Sequence, residues 1–108
     1  MKYTGIGAFE ELVLLMIGVL DEDAYGVAIK EEITSQTGKK PSIGALHSAL
    51  KRLEGKGFIS SHEGGATQER GGRRKRFYQL TNAGKEALME SYQLRNNLFK
   101  QIKGLVWD

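Results

Sequence analysis

The chain contains no cysteine, one proline, one tryptophan and two histidines among 108 residues. Without cysteine, neither disulfides nor thiolate metal sites are available. The two histidines, His47 and His62, have no HxxxH spacing, so too few ligands exist for an ordinary zinc site. No G-x-S-x-G, Walker A or dinucleotide fingerprint is present, which removes the common hydrolase, nucleotidase and dehydrogenase signatures. Long apolar runs are absent too. The stretch Leu12–Leu20 is far below the roughly 18–20 residues that span a bilayer. Glu10 and Glu11 precede it where a secretory signal would be basic. These absences predict a cytoplasmic protein that is not an enzyme and carries no cofactor or metal.

What is present is an uneven distribution of charge. The formal net charge is +3. Residues 1–38 carry two basic side chains against seven acids, a net of −5. Residues 39–85 carry eleven against three, a net of +8, and residues 86–108 are balanced. A one-sided basic field is what phosphate binding requires, because neutralising phosphates releases counterions. A merely solvated basic surface is the alternative.

The basic segment has its own pattern. Ser42 can cap a helix, and Ile43, Leu46, Leu50 and Leu53 then follow at helical spacing. The other side carries Gly44, Ser48, Lys51, Arg52 and Gly55, with His47 on the flank and no acid before Glu54. Gly57 ends this helix. A strand over 58–63, a polar glycine-rich loop over 64–72 and a returning strand over 74–80 predict a hairpin whose tip, Arg70–Arg76, reads RGGRRKR. Arginine forks beside glycines suit phosphate or a narrow minor groove.

Upstream, Phe9, Leu12, Val13, Met16, Ile17 and Leu20 predict a first helix over 9–20 after a loose arm. Asp23 is a candidate cap for a second helix over 24–37, with Tyr25, Ala28, Ile29 and Ile33 on its apolar face and Gly38 after its end. Lys39, Lys40 and Pro41 turn into the third helix. Downstream, Thr81 caps a last helix over 82–105, whose apolar residues cover an arc of about 160°, wider than the ~100° stripe one packing surface needs. Glu10 with Glu11, and Glu31 with Glu32, are adjacent pairs expected to be solvated.

Helix, acidic turn, helix, short turn, helix is the helix-turn-helix layout, whose last helix enters the major groove. An ordinary small helical protein has the same periodicity, and the basic hairpin favours the DNA reading. The predicted fold is mainly α (α+β), a winged helix-turn-helix over 1–81 with a dimerisation helix over 82–108. Candidate DNA contacts are Lys39, Lys40, Ser42, Gly44, His47, Ser48, Lys51, Arg52, Arg70, Arg73, Arg74 and Lys75. Candidate dimer or effector residues are Tyr92, Leu98, Phe99 and Ile102. The aromatic residues Tyr92, Phe99 and Trp107 fit either simple packing or a flat ligand pocket between two helices. The rival functions are a winged helix that binds RNA and a protein-interaction module without an effector.

Three stretches carry a family resemblance: Tyr25 to Ile29; Gly44 to Glu54 with Lys56 to Ile59; and Gly72 to Gly84. Through them the chain resembles PadR-family transcriptional regulators, in their short, LmrR-like branch without a larger C-terminal domain. The resemblance implies a homodimeric repressor on a pseudo-palindromic duplex operator. It also implies release by a small hydrophobic or aromatic effector, with Tyr92 where an aromatic residue of the last helix lines the dimer centre. Where that family usually has Thr-Leu-Tyr-Pro, this chain has Ala45-Leu46-His47-Ser48, so His47 takes the place of a tyrosine that often meets DNA.

Overall fold

In the computed structural model, which describes residues 5–64 and 75–105, the order is α1 (Ala8–Leu20), a 3-10 turn (Asp21–Asp23), α2 (Gly26–Thr37), α3 (Ile43–Gly55), β1 (Ile59–Glu63), β2 (Arg76–Leu80) and α4 (Asn82–Gln101). Three helices surround one core. Val13, Leu14 and Ile17 of α1 meet Ile29 and Ile33 of α2 and Leu46, Ala49, Leu50 and Leu53 of α3. Ile59, Tyr78 and Ala87 close it from the hairpin and α4. Leu14, outside the predicted stripe of α1, is fully buried, whereas Ile43 of α3 is 48 % exposed.

Two helix starts follow from local chemistry. Ser42 Oγ accepts from the Ala45 amide at 3.0 Å, and Thr81 Oγ1 accepts from the Gly84 amide at 3.0 Å. Each satisfies an amide that has no intrahelical partner. The start of α2 differs from the expectation that Asp23 caps a helix from residue 24. Tyr25 is extended instead and Ala24 is not helical. The Ala24 carbonyl accepts from the Tyr78 amide at 2.8 Å, and Tyr25 bridges Phe77. Pairing with the hairpin delays the helix to Gly26, and Tyr25 caps it without a side-chain bond.

β1 and β2 pair antiparallel, with Ile59 opposite Leu80 and Glu63 opposite Arg76. The end of α3 and the start of α4 are locked together at the root of this hairpin. Gly57, at φ 80°, donates to Glu54 O, and Phe58 donates to Leu53 O, both at 3.0 Å. This is the left-handed glycine stop of a helix. Thr81 then donates its hydroxyl to Gly57 O at 2.6 Å and its amide to Phe58 O at 3.1 Å.

α4 ends earlier than the apolar pattern implied. Ile102 is its C-cap, donating to Phe99 O, and Gly104 has φ 85°. Only Gly84 and Ala87 of this helix are buried. Ser91 and Arg95, one turn apart, donate to Glu11, Arg95 Nη2 at 2.8 Å. Beyond them, residues 97–105 are all exposed. The arm is not loose throughout, because Ile6 is buried and Gly5 O accepts from Lys56 Nζ at 3.2 Å.

Candidate nucleic-acid interface

The exposed side of α3 is built by subtraction. Its buried stripe holds Leu46, Ala49, Leu50 and Leu53, which turns Gly44, His47, Ser48 and Lys51 outward, all exposed. They follow at steps of three, one and three, so they form one continuous strip. No side-chain hydrogen bond or ion pair engages His47, Ser48 or Lys51 among the described residues. The nearest acid on the helix, Glu54, accepts from Ser61 Oγ at 2.7 Å and is drawn toward β1. Lys39, Lys40 and Ser42 are exposed at the N-terminal end, where Gly38, at φ 78°, stops α2 and Lys39 donates to Thr37 Oγ1. The strip presents donors, a compact backbone and cations at its two ends.

The base of the hairpin stands beside α2. The Lys75 ammonium lies 4.2 Å from the centroid of the Tyr25 ring, a cation–π distance. Phe77 meets Tyr25 edge-on at 5.5 Å and stacks on His62 at 5.9 Å. Lys75 is thus aimed by an aromatic row. Burial pushes the Tyr78 phenol up, with Arg76 opposing, so it stays neutral beneath the hairpin. Arg70, Arg73 and Arg74 lie outside the described residues.

Arg52 occupies a different environment from Lys51. Its Nε donates to Glu10, which also accepts from Lys56 Nζ at 3.1 Å. Glu10 is only 8 % exposed. The expectation of solvated acids fails here, and Glu11, held by Ser91 and Arg95, is likewise engaged. A signal was present in the sequence. Glu10 precedes Val13, Leu14 and Ile17 by three, four and seven residues, which places it on the buried stripe of α1, where a charge requires a partner.

The Arg52 hydrogen bond, aided by Lys56, holds the Glu10 carboxyl below its ordinary value, against the opposing effect of burial. A carboxylate depressed in the folded state contributes stability in full above its unfolded value, about 4.3, and loses it as pH falls through the lower folded value. Wild type is therefore expected to lose stability on acidification over a range in which Glu10→Gln loses less. Denaturant melts across acidic pH check this, and parallel acid limbs would contradict it.

Tyr92 and Met89 of α4 are 65 % and 59 % exposed, and Leu98, Phe99 and Ile102 are each about half exposed. A cleft of about 490 Å³ is lined by Phe9, Leu12, Leu15, Thr37 and Arg95 among others, and Tyr92, Met89, Leu98, Phe99 and Ile102 do not line it. No metal-ligating cluster occurs among the described residues, nor is any helix there long and apolar enough to cross a membrane.

Similarity to known proteins points the same way. The family model described as "Transcriptional regulator PadR-like family" matches residues 14–90. An uncharacterized protein of Lysinibacillus sphaericus is 34 % identical over 86 residues, covering 78 % of this chain and 74 % of that protein. The transcriptional regulator Rv3488 of Mycobacterium tuberculosis is 31 % identical over 84 residues, with the same coverage. The crystal structure of a PadR-like transcriptional regulator from Bacillus cereus superposes with a TM-score of 0.73 at 22 % identity, covering 94 % of each chain. That likeness gives the fold, a winged helix with a small two-stranded antiparallel sheet. With the family model spanning most of the sequence, the chain belongs to the PadR-like family of transcriptional regulators.

Proposed function

We propose that this protein is a cytoplasmic, homodimeric repressor that binds a pseudo-palindromic duplex operator and is released by a small hydrophobic or aromatic effector at the dimer interface. The observation that carries the reading is the outward strip of α3. Gly44, His47, Ser48 and Lys51 are exposed on a helix fixed from behind by four buried residues. An α-helix fits the major groove, and the small residues let its backbone come close to base edges. His47 and Ser48 read bases, while Lys39, Lys40, Ser42 and Lys51 meet phosphates. Lys75, with Arg70, Arg73 and Arg74 of the hairpin tip, contacts the backbone of the adjoining groove. α4 serves as the dimerisation helix, and Tyr92, Leu98, Phe99 and Ile102, its C-cap, lie at the interface. A two-fold dimer sets its two reading helices on half-sites about 34–36 Å apart.

Selection from a randomised duplex pool tests the assignment. His47→Ala is expected to change the preferred sequence, and Lys51→Ala to weaken all sequences evenly, reducing the salt slope by about one unit. The same preferred sequence for wild type and His47→Ala would remove His47 as a reader. In the same binding assay a planar aromatic dye should weaken wild-type binding more than that of Tyr92→Ala. Equal responses would leave the aromatics as packing alone.

A further inference from the structure

Glu10 is the one buried charged side chain among the described residues, and it belongs neither to the outward strip of α3 nor to the exposed half of α4. Its two partners, Arg52 and Lys56, lie 42 and 46 positions further along the chain. They stand one turn apart, at the C-terminal end of α3, and Lys56 also binds Gly5 O. Arg52 is rotated about 100° around the helix from Lys51, onto the flank that faces α1.

Only the Glu10 carboxylate is shielded, at 11 % side-chain exposure; the Arg52 and Lys56 side chains keep 53 % and 39 %, and ion pairs open to water on one side are weak sources of stability. The cluster matters more for the charge it removes. A free arginine and a free lysine at this end of the strip would attract phosphates of any sequence equally. Discrimination is a ratio of two affinities, so raising the sequence-independent part lowers it.

We propose that Glu10 is a specificity-setting residue: by holding Arg52 and Lys56 against α1, it withholds both cations from DNA phosphates, so that binding depends on base contacts. The inference rests on the duplex-DNA reading above. Arg52 is thereby set apart from Lys51 although the two are neighbours in sequence.

The test compares full-length wild type, Glu10→Gln, Arg52→Gln and the double variant. Each is titrated with a random-sequence duplex and with the best duplex selected from a randomised pool, over a range of salt concentrations. Glu10→Gln should steepen the salt slope on random duplex by about one to two units, one for each released cation that reaches phosphate. Its ratio of selected to random affinity should fall. Arg52→Gln alone should leave the slope on random duplex unchanged, and added to Glu10→Gln it should take back about one unit. A Glu10→Gln slope equal to wild type overturns the inference. So does a loss of about one full unit in Arg52→Gln alone, which would make Arg52 an ordinary phosphate contact. If Glu10→Gln does not fold, the Arg52→Gln slope decides by that criterion. Failure of wild type to bind duplex DNA would defeat the duplex-DNA reading itself. A wild type that discriminates among sequences, with unaltered slopes in Glu10→Gln, defeats this inference alone.

Discussion

Leu98→Asp is expected to convert the protein to a monomer and to abolish tight duplex binding with it. Leu98 is 51 % exposed, and Ile102, one turn further, is 52 % exposed. Leu98 stands on, and Ile102 caps, the half of α4 that its own three-helix body leaves uncovered. Apolar side chains exposed side by side in this way mark interaction surfaces. In a two-fold dimer each side chain counts twice. Full burial of such a side chain is worth about 1.5–3 kcal/mol and Leu98 has half of its surface left to bury, so losing both copies costs about 1.5–3 kcal/mol of association, roughly one to two orders of magnitude, and burying two carboxylates in their place adds to that cost. Binding two half-sites at once depends on that association, so DNA affinity falls with it. Sedimentation of wild type and variant, followed by titration of the selected duplex, measures both. A monomeric wild type that still binds tightly would sink the dimer, as would a Leu98→Asp protein that remains dimeric.

Gly84→Ala is expected to cause the largest loss of stability from a single methyl group. A Cβ at position 84 would lie 2.1 Å from the Phe58 carbonyl oxygen and 3.0 Å from its carbon. Neither atom can swing aside. Phe58 is fixed from both directions, donating to Leu53 O and accepting from the Thr81 amide. Relief requires α4 to move off the hairpin root, breaking the Thr81 bonds or opening the packing around Ala87. Overpacking of this kind costs about 1–3 kcal/mol, and backbone-against-backbone contact belongs at the upper end. For a domain of this size that corresponds to a fall in Tm of about 10–20 °C. Thermal unfolding by circular dichroism checks it; a Tm within a few degrees of wild type would show that α4 slides freely at this point. Gly44→Ala makes the same chemical change within a helix where the new methyl meets nothing within 4 Å, so it is the matched comparison for stability.

The elements that local chemistry decides are legible in the sequence alone. Ser42 and Thr81 announce helix starts because a hydroxyl three residues before an amide is a short-range arrangement. Gly38 and Gly57 announce stops because their positive φ suits glycine. The strip of α3 could be read from its period. What escaped reading depends on residues remote in sequence. The delayed start of α2 comes from Ala24 pairing with Tyr78, and the Glu10 cluster joins residues more than forty apart. At the end of α4, apolar residues continue past the point where the helix stops, since apolar spacing reports hydrophobicity rather than backbone conformation. Periodicity could not separate the two.

The junction at Gly57, Phe58 and Thr81 has a mechanical meaning. No slack chain separates the hairpin root from α4: the helix begins at the residue after Thr81, which is bonded to the last turn before β1. α4 is therefore a rigid spoke, about 30 Å long at 1.5 Å per residue, mounted on the same hub as the outward strip of α3. Over that length a tilt of about 5° displaces one end by about 2.5 Å, comparable to the spacing between adjacent base pairs. In the proposed dimer, a molecule that wedges the far ends apart need not touch α3 at all; the gearing alone would carry its two copies out of step with the grooves.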